Sequence, residues 1–102
     1  METIEVKRAI WRLEEERNIA SSATQLAEAD QEDFLPELPA KSLDELVSIA
    51  RVYEVLPARG RVSKTALIAL LTEKINARAE ETRSLYDRLC SELEELQQSL
   101  TA

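Results

Sequence analysis

The apolar positions of the first thirty residues recur with a helical period. Val6, Ile10, Leu13, Ala20 and Ala27 follow a three-four spacing, with Trp11, Ile19, Ala23 and Leu26 beside them. That spacing lines one side of a helix and predicts one over roughly Thr3 to Ala29. The stripe thins at "ASSATQ", where small polar side chains lower helix propensity, so a kink or early end is expected there. Trp11, the single tryptophan, reads as an anchor packed against a partner helix.

The helical pattern then stops at "QEDFLPELPAKS". Pro36 and Pro39 lack a backbone N–H, and each pushes the residue before it towards extended geometry, which predicts a connector. Phe34 and Leu35 are expected to tether it by packing on the next unit. A second helix opens with Ser42 followed three residues later by Glu45, the spacing of a capping box. Leu43, Leu46, Val47, Ala50 and Tyr53 give it a short amphipathic face to about Glu54. "VLPARGRV" interrupts it with Pro57 and Gly60, the only glycine of the chain. Gly60 permits a sharp, left-handed turn there. Ser63 then offers an N-cap to a third helix with Leu67, Ile68, Leu71 and Ile75 on one face.

From Val62 onward there is neither glycine nor proline to stop that third helix. Ile75, Ala79, Thr82, Tyr86, Leu89, Leu93, Leu96 and Leu100 follow an unbroken four-three register, the pattern of a coiled-coil seam. A helix from Lys64 to about Leu100 would be about 54 Å long at 1.5 Å per residue, more than a small domain spans. It must pack on something: the first helix as an antiparallel hairpin, or a second copy of the chain. Tyr86, Leu89, Leu93, Leu96 and Leu100 are the expected oligomerisation residues, in a homodimer or higher helical assembly.

Composition narrows the class. The 102 residues fit one small domain with an extension. The hydrophobic 44% comes mainly from Leu, Ala, Ile and Val, with only 4% aromatic, which suits helices over sheets. An all-α fold follows, organised as an acidic N-terminal helix (1–30), a proline-containing connector (31–41), a helix–extended loop–helix head (42–75), and a heptad-patterned helix continuous with the head (76–102). No apolar run approaches the ~20 residues that cross a bilayer, and no signal-peptide core is present. A cytoplasmic protein without membrane association is expected, and the single Cys90 suits a reducing compartment.

The chain contains no histidine. That excludes Ser-His-Asp catalysis and removes the base that would activate Cys90. It also removes the usual zinc sites, and one glycine cannot build a phosphate-cradling loop. The acid pairs, Glu80-Glu81 and Glu94-Glu95 among them, lie in runs typical of solvated helix faces. No enzymatic activity, cofactor, metal or small-molecule substrate is expected.

Charge is distributed unevenly. Residues 1–40 carry four basic and ten acidic side chains, residues 41–78 seven and four, and residues 79–102 two and six. The overall −7 therefore hides a basic middle. Ser42 to Ile75, "SLDELVSIARVYEVLPARGRVSKTALIALLTEKI", resembles the SAP domain and the similar helical module at the N-terminus of the transcription terminator Rho. The likeness rests on Ser42, Leu43, Leu46 and Ala50 in the first helix, Gly60 and Arg61 in the loop, and Lys64, Leu67 and Ile68 in the second. It covers about a third of the chain.

What the resemblance implies is nucleic-acid binding, typically of DNA, through the loop and the start of the second helix. The residues agree in part: Arg59, Arg61 and Lys64 lie beside a helix N-terminus, whose N–H groups and dipole favour a phosphate. Ser63 and Thr65 would donate further bonds. The loop has no aromatic platform for base stacking, so binding would follow shape and backbone. The expected function is an accessory nucleic-acid-binding protein dimerised by its helices. The alternative is an acidic helical adaptor whose arms bind a protein partner and whose head is structural.

Overall fold

The computed structural model describes residues 3–56 and 62–101. It is all-α. Helix α1 runs Thr3–Ala29, α2 Leu43–Val52 and α3 Lys64–Thr101, with a five-residue π-helical turn (Asp30–Phe34) and a 3-10 turn (Leu35–Ala40) after α1. No helix among the described residues is long and apolar enough to cross a membrane. The chain divides into two compact units.

The head is the unit Ala27–Ala79. Its core is Leu38, Leu46, Ala50, Leu67 and Leu71, all without solvent exposure, with Phe34, Leu35, Tyr53, Val55 and Ile68 among the residues packed around them. The α2 N-terminus is capped as its spacing predicts: the Glu45 N–H donates to Ser42 Oγ at 3.2 Å. The Ser42 hydroxyl in turn donates to the Glu45 carboxylate, so the Glu returns to the cap side chain. Helix α3 is capped likewise, the Ala66 N–H donating to Ser63 Oγ at 3.1 Å.

The connector departs from expectation. It stays wound through both prolines. Leu35, which precedes Pro36, is right-handed helical (φ −57°, ψ −44°) against the extended bias of a pre-proline residue. Two physical reasons combine. Pro36 lies in the first turn of the 3-10 segment, where no N–H is needed. Winding also carries Leu38 into the core with no exposure, a burial worth about 2 kcal/mol. Lys41 is the first residue to extend, and its ammonium lies 5.7 Å from the Phe34 ring centre.

Helix α2 ends in a Schellman motif that lacks its usual glycine. The Val55 N–H donates to the Ala50 carbonyl at 3.0 Å and the Glu54 N–H to the Arg51 carbonyl at 3.2 Å. Glu54 holds the left-handed position, φ 58°. Val55 packs on the core that contains Ala50, which is the hydrophobic contact that accompanies this motif. The turn assigned to Gly60 lies outside the described residues.

The arm is the unit Met1–Leu26 with Glu80–Ala102. Here α1 and the second half of α3 pack as an antiparallel hairpin. Val6, Ala20, Leu89 and Leu93 are buried between them. The early end expected at "ASSATQ" does not occur, for α1 continues to Ala29. Thr24 donates its hydroxyl to the Ala20 carbonyl at 2.8 Å, which satisfies it within the helix.

Candidate functional site

Of the residues assigned to phosphate binding, Arg59 and Arg61 lie outside the described residues. Ser63, Lys64 and Thr65 are exposed at the start of α3. The Ser63 oxygen is taken up as the N-cap, occupied by the Ala66 N–H. The two helix starts of the head differ in charge. Asp44 and Glu45 stand in the first turn of α2, where carboxylates complement the dipole. The first turn of α3 holds no acid, so its positive end is left with Lys64 beside it.

Behind this end the head is fastened by two polar contacts. The Tyr53 hydroxyl donates to Asp30 at 2.7 Å, joining the end of α2 to the π turn. Burial, then the hydrogen bond and negative charge of Asp30, push the Tyr53 hydroxyl up to about 12 from the usual 10. The Gln31 amide donates to the Asn76 side chain at 2.9 Å across the same unit. Between Val55, Leu70, Glu73, Lys74 and Ala77 lies a shallow groove of about 220 Å³. Among the described residues no group of three His, Cys, Asp or Glu is placed to hold a metal ion.

On the arm, the five heptad residues assigned to oligomerisation fall into three environments. Leu89 and Leu93 are buried, covered within the hairpin by α1 of the same chain. Tyr86 and Leu96 are half-buried, and Leu100 is 38% exposed. The Tyr86 hydroxyl is raised above its usual range, first by its hydrogen bond with Cys90 one turn on. Cys90 itself is half-buried. The near half of the seam is thus used inside the chain, as the hairpin alternative requires.

The arm's unfilled surface lies elsewhere. Ile4 is 63% exposed, Trp11 61%, Ile19 71% and Leu26 69%. At about 100° per residue these four fall within a sector of about 80°, opposite the buried Val6 and Ala20. Trp11, expected to be packed against a partner helix, has no such cover in this chain. Beside the row, Glu16, Ile19, Ala20, Ala23, Leu85 and Leu89 line an open groove of about 250 Å³. In the sequence Trp11, Ile19 and Leu26 stand beside the main stripe. Their seven- to eight-residue spacing marks a second stripe.

No family model, curated protein or solved structure matches the chain.

Proposed function

We propose that this chain is a helical interaction protein: a structural head carrying a two-helix arm that docks on another helical surface. The observation that carries this reading is the row of Ile4, Trp11, Ile19 and Leu26, all more than half exposed on one face of α1. Large apolar side chains aligned on one exposed face mark an interaction site more often than ones scattered singly, here with Arg8, Glu15 and Ser22 interleaved among them. Tryptophan is also the residue type that most often dominates such contacts. The reading is non-enzymatic and cytoplasmic, supported by the absence of histidine and the single cysteine. The test is recovery of tagged chain from its own cells with its partners. Wild type retains a partner that the Trp11→Glu/Ile19→Glu variant loses. Identical partners for both proteins would sink the reading.

A second reading is supported by the α3 start. There an acid-free first turn, Lys64 and the sequence-adjacent Arg59 and Arg61 offer cations to an anion. On that reading the head is a SAP-like module gripping a nucleic-acid backbone, with Ser63 and Thr65 alongside. About three neutralised phosphates would give a logarithmic salt slope near −3 in a duplex titration, abolished by Arg59→Glu/Arg61→Glu. Absence of binding at low salt ends this second reading without touching the first.

A further inference from the structure

The exposed row on α1 has an internal symmetry. Residues 4 and 26 are centred on 15, and so are residues 11 and 19. An antiparallel helix laid along this face with the same spacing would set Ile4 against a leucine and Trp11 against an isoleucine. The helix with that spacing is α1 itself. We propose that the occupant of this face is a second copy of the chain, its α1 crossing antiparallel about a two-fold axis at Glu15. This deepens the interaction reading above and rests on it.

A two-fold contact of this kind uses one patch twice, so the patch must complement itself. The apolar row does so: each Trp11 meets the partner copy's Ile19 position, and each end residue meets the opposite end. The row from residue 4 to 26 is about 33 Å long at 1.5 Å per residue, and the exposed Arg8, Glu15 and Ser22 alternate on it with the four apolar side chains.

Charge selects the same face. Residues 3–26 carry Lys7, Arg8, Arg12 and Arg17 against Glu5, Glu14, Glu15 and Glu16, a net of zero. Residues 80–101 carry two cations and six acids. Two copies meeting through α3 would bring those acids together, whereas α1, with four cations against five acids once Glu28 is counted, meets its copy with a net charge of only −1 on each side. The register also places opposite signs together. With the axis at residue 15, Arg12 of each copy lies about 3 to 4.5 Å along the axis from the level of Glu16 and Glu15 of the other, within a guanidinium's reach. The same axis sets Glu15 beside its own symmetry mate and brings Glu14 and Glu16 of the two copies to within about 3 Å of one level, acid against acid that the two Arg12 side chains offset in part. The heptad leucines take no part, since Leu89 and Leu93 are covered inside each hairpin.

Sedimentation of the full chain tests the assembly, and cysteine cross-linking tests its geometry. Wild type sediments as a concentration-dependent dimer, and Trp11→Glu/Ile19→Glu is a monomer with unchanged helical circular dichroism. Arg12→Glu weakens the dimer about tenfold or more, and so does Glu16→Arg, while the double swap recovers most of the loss. In a Cys90→Ala background, Glu15→Cys oxidises to a linked dimer. Ile4→Cys links when mixed with Leu26→Cys and not by itself. A monomer at every concentration up to about 1 mM overturns the proposal. So does a dimer in which Ile4→Cys links to itself, because that contact is parallel. If the chain is monomeric yet the Trp11 variant still loses a cellular partner, self-pairing fails and the interaction reading stands. If neither occurs, both fail.

Discussion

The head and the arm spend their apolar residues differently. In the head, Leu38, Leu46, Leu67 and Leu71 have no exposure, and Phe34, Leu35 and Tyr53 close over them. In the arm, the buried residues are Val6, Ala20, Leu89 and Leu93, while Ile4, Trp11, Ile19, Leu26, Leu85 and Leu100 are all more than a third exposed. The head closes a core of its own and, among the described residues, leaves only Leu43 and Val52 of its large apolar side chains exposed. The two-helix arm exposes more of them than it buries, and the proposed docking rests on that surface. Truncations in the two regions should therefore register in different measurements: folding stability for the head, association for the arm.

The largest effect belongs to the head core. Leu71→Ala removes a side chain with no exposure among close-packed neighbours. It should cost about 3 kcal/mol in urea denaturation, counting lost transfer energy and the cavity together. The matched arm change, Trp11→Ala, should alter the stability of the isolated chain by no more than about 0.5 kcal/mol, despite removing the largest side chain in the protein. A Trp11→Ala loss comparable to that of Leu71→Ala would show that Trp11 is packed within the chain, and the contrast would fall.

The next effect tests how the head is fastened. Tyr53→Phe removes the donor to Asp30 and should cost about 1 kcal/mol at neutral pH. It should also change the alkaline limb. The Tyr53 hydroxyl is raised to about 12 in the fold, so the folded state holds that proton more tightly than the unfolded chain. Its contribution is therefore complete below about pH 10 and is lost as pH climbs towards 12. The wild type should lose more stability than Tyr53→Phe between those values. Tyrosinate absorbance should show one hydroxyl ionising late, and equal alkaline losses in the two proteins would refute the assignment.

These contrasts also mark what was legible in the residues alone. The caps at Ser42 and Ser63 and the extents of the three helices follow local chemistry, in which side chain and backbone meet within four residues. The wound connector was not legible. The pre-proline bias at Leu35 is local, whereas the burial of Leu38 that overrides it depends on α2 and α3 arriving from elsewhere in the chain. The two stripes of α1 posed a similar problem. Val6, Ile10 and Leu13 compete with Ile4, Trp11 and Ile19 for the inside of the hairpin, and periodicity alone does not say which face α3 takes. The register on α3 is legible as a seam, but which helix covers it is not, and Leu89 and Leu93 are buried within the hairpin of the same chain. The cationic candidates stand as sequence assignments, with Lys64, Ser63 and Thr65 located and exposed at the helix start.

The smallest effect concerns a left-handed residue where periodicity offered no hint of one. Glu54 occupies the left-handed position of the α2 Schellman motif at φ 58°, a conformation in which its Cβ crowds the following carbonyl at a cost of about 1 kcal/mol. Gly60, the residue suited by chemistry to such a turn, stands six positions later. The motif persists because two hydrogen bonds and the packing of Val55 onto the core outweigh the strain. Glu54→Gly relieves the crowding, though glycine gains more entropy in the unfolded chain, which returns part of the benefit. The expected outcome is a gain of about 0.5 kcal/mol in urea denaturation. Glu54→Ala keeps the Cβ and should show no such gain. If glycine destabilises as much as alanine, the Glu54 side chain itself contributes to the head, and that would set the two surfaces closer in kind than their cores suggest.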